Sequence, residues 1–235
     1  MKYVAGGAAV AALGYAAFAG TQWLRYGRAP HAKHPDEQDP LLDRFMPLYD
    51  IVERHHVRVL APPDVTLAAA RDLNIQDSAV VRALFKAREL VMGASAADAP
   101  MPSGLLAAAL SMGWGILADE VDREIVLGAV TKPWEPNPVF QDLLPRDFRN
   151  FAEPGYVKIA WTLRADPVAA GGCIFRSETR AIATDADARA KFRRYWSLVS
   201  PGVVLIRRAM LTPIKTEAER RVAPPIDTPE MVTTS

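Results

Sequence analysis

The segment from Asp185 to Arg221 is the feature of this 235-residue sequence that most constrains its fold. Apolar side chains recur in it at three- and four-residue spacing, which places them on one face of an α-helix. The basic residues fall mostly on the opposite face. The apolar stripe consists of Ala188, Phe192, Tyr195, Trp196 and Val199. A helix of this length needs a broad apolar surface to cover, so the rest of the chain is expected to supply one.

The sequence also predicts where this helix starts and where it bends. Thr184 is predicted to cap it, with Asp185 and Asp187 in the first turn, where the helix dipole favours carboxylates. Ser200-Pro201-Gly202 is predicted to kink or break it, because proline lacks an amide hydrogen and clashes with the preceding turn. We expect the helix to bend there and follow a curved partner surface.

The partner surface is predicted to be an antiparallel sheet. Residues 156–165 and 172–184 alternate between apolar and polar side chains, and residues 49–60 alternate less regularly. Residues 114–121 and 123–130 are predicted as two more strands, joined by a tight turn at Asp122. One-sided alternation predicts a dry face toward the helix and a wet face toward solvent. Arg176, Glu178 and Arg180 are expected to form an ion network on the wet face.

Helices are predicted between the first strand and the rest of the sheet, over residues 65–73 and 78–92. A short helix is predicted within residues 140–151, whereas residues 105–113 are apolar without a clear period. The order is therefore a strand, two helices, a run of antiparallel strands and one long closing helix. This order predicts an α+β fold in which a curved antiparallel sheet wraps around the C-terminal helix.

Residues 1–24 are predicted to form a transmembrane helix, because no charged residue occurs from Tyr3 to Leu24 and about 20 apolar residues span a bilayer. The aromatic and basic flank of Trp23 and Arg25 suits a membrane interface. Positive charge is heavier after the segment, which predicts a single-pass protein with a cytoplasmic domain. The alternative is a cleaved signal peptide, with Ala17-Phe18-Ala19 as the cleavage site and a secreted or periplasmic product.

The remaining boundaries follow from composition. Residues 25–43 are rich in proline and acidic side chains and are predicted to be a flexible linker. His31 and His34 are interpreted as solvated linker residues, since a flexible segment gives a metal no fixed geometry. Residues 44–221 are predicted to form the folded domain. Residues 222–235 are predicted to be a disordered tail.

Three segments carry a resemblance to a known superfamily. They are VERHHVRVLAPPDV (Val52–Val65), SETRAIATDADARAKFRRYW (Ser177–Trp196) and SPGVVLIRRAML (Ser200–Leu211). With these segments the chain resembles the START-like superfamily of helix-grip proteins, also called SRPBCC, which includes polyketide cyclase-like and lipid-transfer members. The resemblance covers about residues 39–221. It implies a cavity between the sheet and the C-terminal helix that is open to an apolar ligand, but it implies no shared catalytic motif.

The position of this cavity also follows from the residues. Five aromatic side chains are predicted to converge between the sheet and the long helix: Trp161, Phe175, Phe192, Tyr195 and Trp196. They are our candidate ligand-binding residues for a lipid or another hydrophobic small molecule. The alternative is that they simply fill the core of a non-catalytic interaction domain. A second alternative is a cyclase-like or aromatase-like enzyme in which Glu53, His55 or Tyr156 shapes the reaction.

Several other functions are disfavoured by the sequence. A net charge of +1 argues against general nucleic-acid binding. Cys173 is the only cysteine, so no intrachain disulfide or multi-cysteine metal site can form, and a small buried side chain is expected there. Phosphate-binding loops, nucleophile elbows and zinc-binding helix motifs are absent from the sequence. We therefore predict a binding module without catalytic residues, cofactor or metal.

A basic cluster remains on the long helix, made of Arg193, Arg194, Arg207 and Arg208. The ordinary interpretation is a solvated helix face whose charges pair with neighbouring acidic residues. The alternative is contact with anionic lipid head groups beside the anchoring membrane.

Overall fold

The computed structural model describes residues 2–28, 34–78, 82–83, 86, 102–169 and 171–223. The strands are β1 (Ile51–Val59), β2 (Gly115–Glu120), β3 (Glu124–Thr131), β4 (Val157–Pro167) and β5 (Cys173–Ala183). The helices are α1 (Lys2–Arg25), α2 (Pro40–Asp43), α3 (Pro63–Asp72), α4 (Leu105–Ser111), α5 (Pro145–Asn150) and α6 (Ala186–Val222). The strands form an antiparallel sheet in the order β1-β5-β4-β3-β2. The predicted α+β class and long C-terminal helix are confirmed, in an arrangement consistent with the helix-grip fold.

The register of the sheet places one row of side chains across its centre. Glu53 in β1 is opposite Thr179 in β5, and Thr179 is opposite Trp161 in β4. Leu127 in β3 continues the row on the other side of Trp161. We call the face that carries this row the inner face, because it is the one that α6 covers. The predicted apolar face of residues 156–165 is this inner face.

Two core clusters lie under α6, at opposite ends of the inner face. One joins the sheet to α3, α4 and the C-terminal half of α6, and includes Phe175, Leu163 and Ile214. The other joins the sheet to the N-terminal half of α6, and includes Ile51 and Phe192. The single cysteine, Cys173, is buried in the first cluster as predicted, with its sulfur 3.3 Å from the hydroxyl of Thr66.

The helix α6 is continuous through Ser200-Pro201-Gly202, so of the predicted kink or break the break is wrong. Pro201 and Pro213 both lie inside the helix. A proline in a helix interior costs about 3 kcal/mol, whereas each large apolar side chain that is fully buried contributes about 1.5–3 kcal/mol. Phe192 before Pro201 and Ile214 after Pro213 are both buried. Packing of the two halves against one sheet therefore outweighs the prolines.

The predicted cap of α6 is also corrected. Asp185 is the N-cap, and its carboxylate accepts hydrogen bonds from the amides of Asp187 and Ala188. The hydroxyl of Thr184 lies instead 3.0 Å from both the amide nitrogen and the carbonyl oxygen of Tyr156. Thr184 thereby joins the end of β5 to the start of β4.

The outer face of the sheet is covered, contrary to the prediction of a wet face. Arg180 and Glu178 are only 3% and 5% exposed. Asp36, Asp39 and Asp43 pair across this face with Arg176, Arg164 and Arg180, respectively. Leu41 and Leu42 of α2 are buried with Phe148 of α5 in a third cluster. Residues 34–43 were predicted as part of a flexible linker, and the structure instead packs them on the domain, because their carboxylates neutralise buried arginines.

Other sequence-based expectations have mixed outcomes. The five predicted strands are confirmed with ends that differ by one or two residues, and Asp122 forms the turn between β2 and β3 with a positive φ of 60°. The ambiguous residues 105–113 contain α4, and residues 140–151 contain α5. Most of the helix predicted over residues 78–92 lies outside the described residues. The tail also lies outside them from residue 224 onward, and α6 itself reaches Val222.

The C-terminal half of α1 packs antiparallel to the N-terminal half of α6. The ring of Tyr26 meets Phe192 edge-to-face at 5.9 Å. Arg193 lies over the indole of Trp23 at 4.1 Å and donates to its carbonyl oxygen. The hydroxyl of Tyr15 donates to the carbonyl oxygen of Leu198. These contacts hold the end of α1 on the folded domain.

Among the described residues, α6 is the one helix that is long and apolar enough to cross a membrane. Only 22% of its most apolar stretch is buried. Helices that cover the core of a globular domain can have the same length and apolar composition, and α6 covers both inner clusters. The side chains of α1 are described from Leu13 onward, where Leu13, Tyr15 and Leu24 are exposed.

Candidate functional site

A cleft of about 520 Å³ opens where α1, β1 and α6 meet. Clefts of about 300–1,000 Å³ are typical of small-molecule sites. The lining residues are Phe18, Gln22, Arg25, Tyr26, Arg28, Asp50, Ile51, Val52, Glu53, Trp196, Val204 and Arg208. All three elements are fixed by the core contacts described above, so the cleft belongs to the fold and is not a gap between loops.

One wall of the cleft is apolar. It is formed by Phe18 from α1, Ile51 from β1, and Trp196 and Val204 from α6. Trp196 and Ile51 belong to the buried cluster beneath the N-terminal half of α6. This wall can shield a hydrocarbon chain or an aromatic ring from water, at about 25 cal/mol for each Å² of apolar surface removed.

The rest of the cleft is basic. Arg25 ends α1, Arg28 follows the turn after it, and Arg208 comes from the middle of α6. All three are solvent-exposed. Within the described part of the chain, none of them forms a salt bridge, although salt bridges occupy many of the other arginines. Arginine guanidinium groups bind carboxylates and phosphates through paired hydrogen bonds, so this side of the cleft is suited to an anionic group.

Asp50 cannot neutralise these arginines, because its carboxylate already has other partners. Arg189 lies 2.8 Å from it, the Tyr26 hydroxyl donates to it at 3.3 Å, and the Ala183 amide donates to it at 3.2 Å. The amide of Gly27 donates to the Asp50 backbone carbonyl. Asp50 therefore joins the end of α1 to β5 and α6, and it fixes one end of the cleft.

Glu53 and His55 form a pair on the inner face of β1, 3.7 Å apart. Burial raises the pKa of Glu53, while Arg208 and Arg25 oppose this effect. Burial, together with Arg208 and Arg207, lowers the pKa of His55 to about 4. His55 is therefore neutral at pH 7, and its buried Nε2 atom has no hydrogen-bond partner among the described residues. The pair places one acidic side chain and one neutral imidazole at the deep side of the cleft.

The side chain of Arg207, next to Arg208 in α6, packs against Trp161 and does not line the cleft. Its guanidinium lies over the indole ring of Trp161 at 3.9 Å, and the indole nitrogen donates to Ser177 at 2.8 Å. Burial lowers the pKa of Arg207 to about 9. Two adjacent arginines therefore both face the sheet. Their position was not predicted, because the helical pattern assigns both residues to the solvated face of α6.

The five predicted aromatic residues do not converge in one cavity. Trp161 and Phe175 are buried in the cluster that contains Ile214. Phe192, Tyr195 and Trp196 pack in the other inner cluster, at the opposite end of the sheet. Trp196 is the one predicted residue that lines the cleft, and the other four fill the core. The candidate site therefore lies beside the predicted one, toward α1 and β1.

Of the three residues of the enzyme alternative, the structure brings together Glu53 and His55 and leaves Tyr156 apart. Glu53 lines the cleft and His55 is its neighbour, but Tyr156 packs against Phe151 in the cluster of the outer face. Within the described residues, no three His, Cys, Asp or Glu side chains are arranged to hold a metal ion. The small pocket on the outer face, about 20 Å³, has space for roughly one water molecule and lies within the ion network.

Comparisons with known proteins add little to this picture. No protein-family model matches the chain, and no curated protein matches it. Among solved structures, the Deinococcus radiodurans protein DR_A0006 is similar with a TM-score of 0.26 and 14% identity, covering 63% of this chain and 98% of its own. The ZhuI aromatase/cyclase from Streptomyces sp. R1128 is similar with a TM-score of 0.27 and 16% identity, covering 73% of this chain and 95% of its own. The fold assignment therefore rests on the order of the sheet and on α6.

Proposed function

We propose that this protein is a membrane-anchored module that binds a hydrophobic small molecule, such as a single-chain lipid, in the cleft between α1, β1 and α6. The observation that carries this proposal is the cleft of about 520 Å³ with an apolar wall of Phe18, Ile51, Trp196 and Val204. The wall is preformed, because core packing fixes Ile51 and Trp196. A preformed apolar wall binds a ligand without first paying for the ordering of its side chains.

Binding without catalysis fits the chemistry of the cleft better than an enzyme does. Glu53 is the one described carboxylate in the cleft that has no strong ion pair, and its partner His55 is buried with a low pKa. Tyr156, the third candidate of the enzyme alternative, lies in the outer-face cluster. Of the three candidates only Glu53 lines the cleft, so a general acid and a general base that both line it are not found among the described residues.

Membrane attachment is assigned to α1. The segment from Tyr3 to Leu24 has no charged residue. Its C-terminal half packs on α6 through Tyr15 and Trp23, so the part of α1 that enters the membrane precedes Tyr15. With α1 as the anchor, the cleft lies next to the membrane surface, so a ligand with an acyl chain has a short path into it.

Native mass spectrometry of the full chain, released from a non-ionic detergent, tests ligand binding. Oleyl alcohol is an uncharged single-chain probe and is expected to bind at a 1:1 ratio. Val204→Trp places an indole in the cleft and is expected to abolish that complex. Leu205→Trp, on the exposed side of α6, is the matched control and is expected to retain it. Absence of any complex with the unmodified chain would exclude the proposed function.

Alkaline carbonate extraction tests the anchor independently. The full chain is expected to remain in the membrane fraction, with an intact mass that includes residues 1–24. A fluorescent protein fused after residue 235 is expected to be active in the cytoplasm, and an alkaline phosphatase fusion at the same position to be inactive. Release of the chain by carbonate, or a mass that lacks the first residues, would contradict the anchor while leaving the binding test unaffected.

A further inference from the structure

We infer that the cleft selects ligands that carry an anionic head, a carboxylate or a phosphate, on an apolar chain, with Arg25, Arg28 and Arg208 as the residues that bind the head. This inference rests on the proposed function and specifies the chemical class of its ligand. The three arginines come from α1, the turn after it and α6, so their meeting at one cleft is produced by the fold and not by one basic sequence run.

The charge of the cleft is not balanced from within. Asp50 is already bound by Arg189, Tyr26 and the Ala183 amide. Glu53 is the remaining carboxylate in the lining, and its own partner is His55. Within the described residues, three cationic side chains therefore share the cleft with one carboxylate that has no close cationic partner. Like charges brought together repel one another, and an anion that enters the cleft removes this repulsion.

The basic residues lie at the exposed side of the cleft and the apolar residues at its buried side. This arrangement suits an amphiphile better than a free anion. Arg25, Arg28 and Arg208 are solvent-exposed, whereas Ile51 and Trp196 are buried. A ligand can therefore keep its head at the open side while its chain lies along Ile51, Trp196 and Val204. This orientation is the one that a lipid entering from the α1 side would adopt.

The deep side of the cleft restricts how far the head can enter. Glu53 lies there with His55, which is buried, neutral at pH 7 and without a hydrogen-bond partner on Nε2 among the described residues. A carboxylate or phosphate placed beside Glu53 would be repelled, and a neutral imidazole does not compensate that repulsion with positive charge. The anionic head is therefore expected to remain with the three arginines.

Native mass spectrometry of the full chain with four probes tests this inference. Oleate and dodecyl phosphate carry an anionic head on a chain, oleyl alcohol has a chain alone, and inorganic phosphate has the anion alone. Oleate and dodecyl phosphate are expected to bind about tenfold or more tightly than oleyl alcohol, because hydrogen bonds to charged groups are the strong ones. Inorganic phosphate is expected to bind far more weakly than dodecyl phosphate.

Charge-removing variants identify the residues. Arg208→Gln and Arg25→Gln are each expected to weaken the binding of oleate by about tenfold and that of oleyl alcohol by less than twofold. Arg194→Gln, an exposed arginine of α6 that does not line the cleft, is the matched control and is expected to change neither. Far-UV circular dichroism checks that each variant is folded.

The possible outcomes separate this inference from the proposed function. Equal binding of oleate and oleyl alcohol would overturn the selection for an anionic head and leave the hydrophobic cleft intact. Equal binding of inorganic phosphate and dodecyl phosphate would show a site for free anions and overturn the preference for an amphiphilic ligand. Failure of every chain-bearing probe to bind would overturn the proposed function itself.

Discussion

Arg207 holds its guanidinium carbon 3.9 Å from the centre of the Trp161 ring, beneath the middle of α6. The contact combines an attraction between cation and ring with the cost of removing a charge from water. That cost is visible in the pKa of Arg207, which burial lowers to about 9. The contact therefore fixes the middle of α6 but leaves the charge of Arg207 poorly solvated.

The Arg207→Met variant tests which of these two effects is larger. Methionine keeps an unbranched apolar chain over Trp161 but has no charge to desolvate. We expect the variant to raise the free energy of unfolding at pH 7 by about 1 kcal/mol, because well-packed apolar replacements of buried charges are often stabilising. Urea unfolding measures the change, with the exposed Arg194→Met as control. A decrease would show that the cation–ring attraction is the larger effect.

His55 is expected to make stability depend on pH. Its pKa is about 4 in the folded chain and about 6.5 in the unfolded chain. Between these values the unfolded state binds a proton that the folded state does not bind. The free energy of unfolding should therefore decrease as the pH falls from 6.5 to 4, by up to about 3 kcal/mol.

The His55→Gln variant should lose this part of the pH dependence, measured by urea unfolding at pH 7, 5.5 and 4. The adjacent His56 is exposed, so His56→Gln is the matched control and should keep the slope. Identical slopes in the two variants would refute the assignment to His55.

Glu124 is expected to produce the opposite dependence. Burial raises its pKa above the ordinary value of 4.5, and the neighbouring carboxylate of Asp39 adds to this effect. As the pH rises above 4.5, the unfolded state releases a proton that the folded state retains, so stability falls with increasing pH. Glu124→Gln should remove this loss and be more stable than the unmodified chain at pH 8 but not at pH 4. Thermal unfolding at both values, with the exposed Glu120→Gln as control, checks it.

Asp50 is expected to be the most sensitive single position at the cleft. Its buried carboxylate joins Tyr26, Arg189 and the Ala183 amide, so Asp50→Asn weakens several hydrogen bonds to a charged group and should lower the free energy of unfolding by about 2 kcal/mol. Hydrogen exchange should increase in the last two turns of α1. Asp187→Asn, which breaks an exposed pair with Lys191, should change stability by less than about 1 kcal/mol. Unchanged exchange in α1 would contradict the role given to Asp50.

The local elements of this fold could be predicted from the sequence. Alternation in β4 and β5 assigned Trp161 and Phe175 to the face that α6 covers, and helical spacing identified Phe192 and Trp196 as the face of α6 that packs on it. These patterns depend on the geometry of a single strand or helix. They are therefore readable without knowledge of the rest of the chain.

The partners of each face could not be predicted in the same way. Alternation gives the polarity of Arg164 and Arg180, but not the fact that acidic residues from 34–43 lie against them. Distance along the elements also separates the aromatic residues. Val157, which packs with Phe192, lies four residues from Trp161, or about 13 Å along β4. For this reason a set of aromatics that faces one helix does not form one site.

The sheet places β1 at its edge beside β5, with Ile51 opposite Ala181, a residue 130 positions later in the chain. During synthesis β1 therefore cannot pair with β5 until most of the chain has left the ribosome. Val204 and Arg208, which complete the cleft, emerge later still. The first helix, α1, is complete long before then. Under the proposed function, attachment of α1 to the membrane would precede completion of the cleft, so ligand capture would be the last step of maturation.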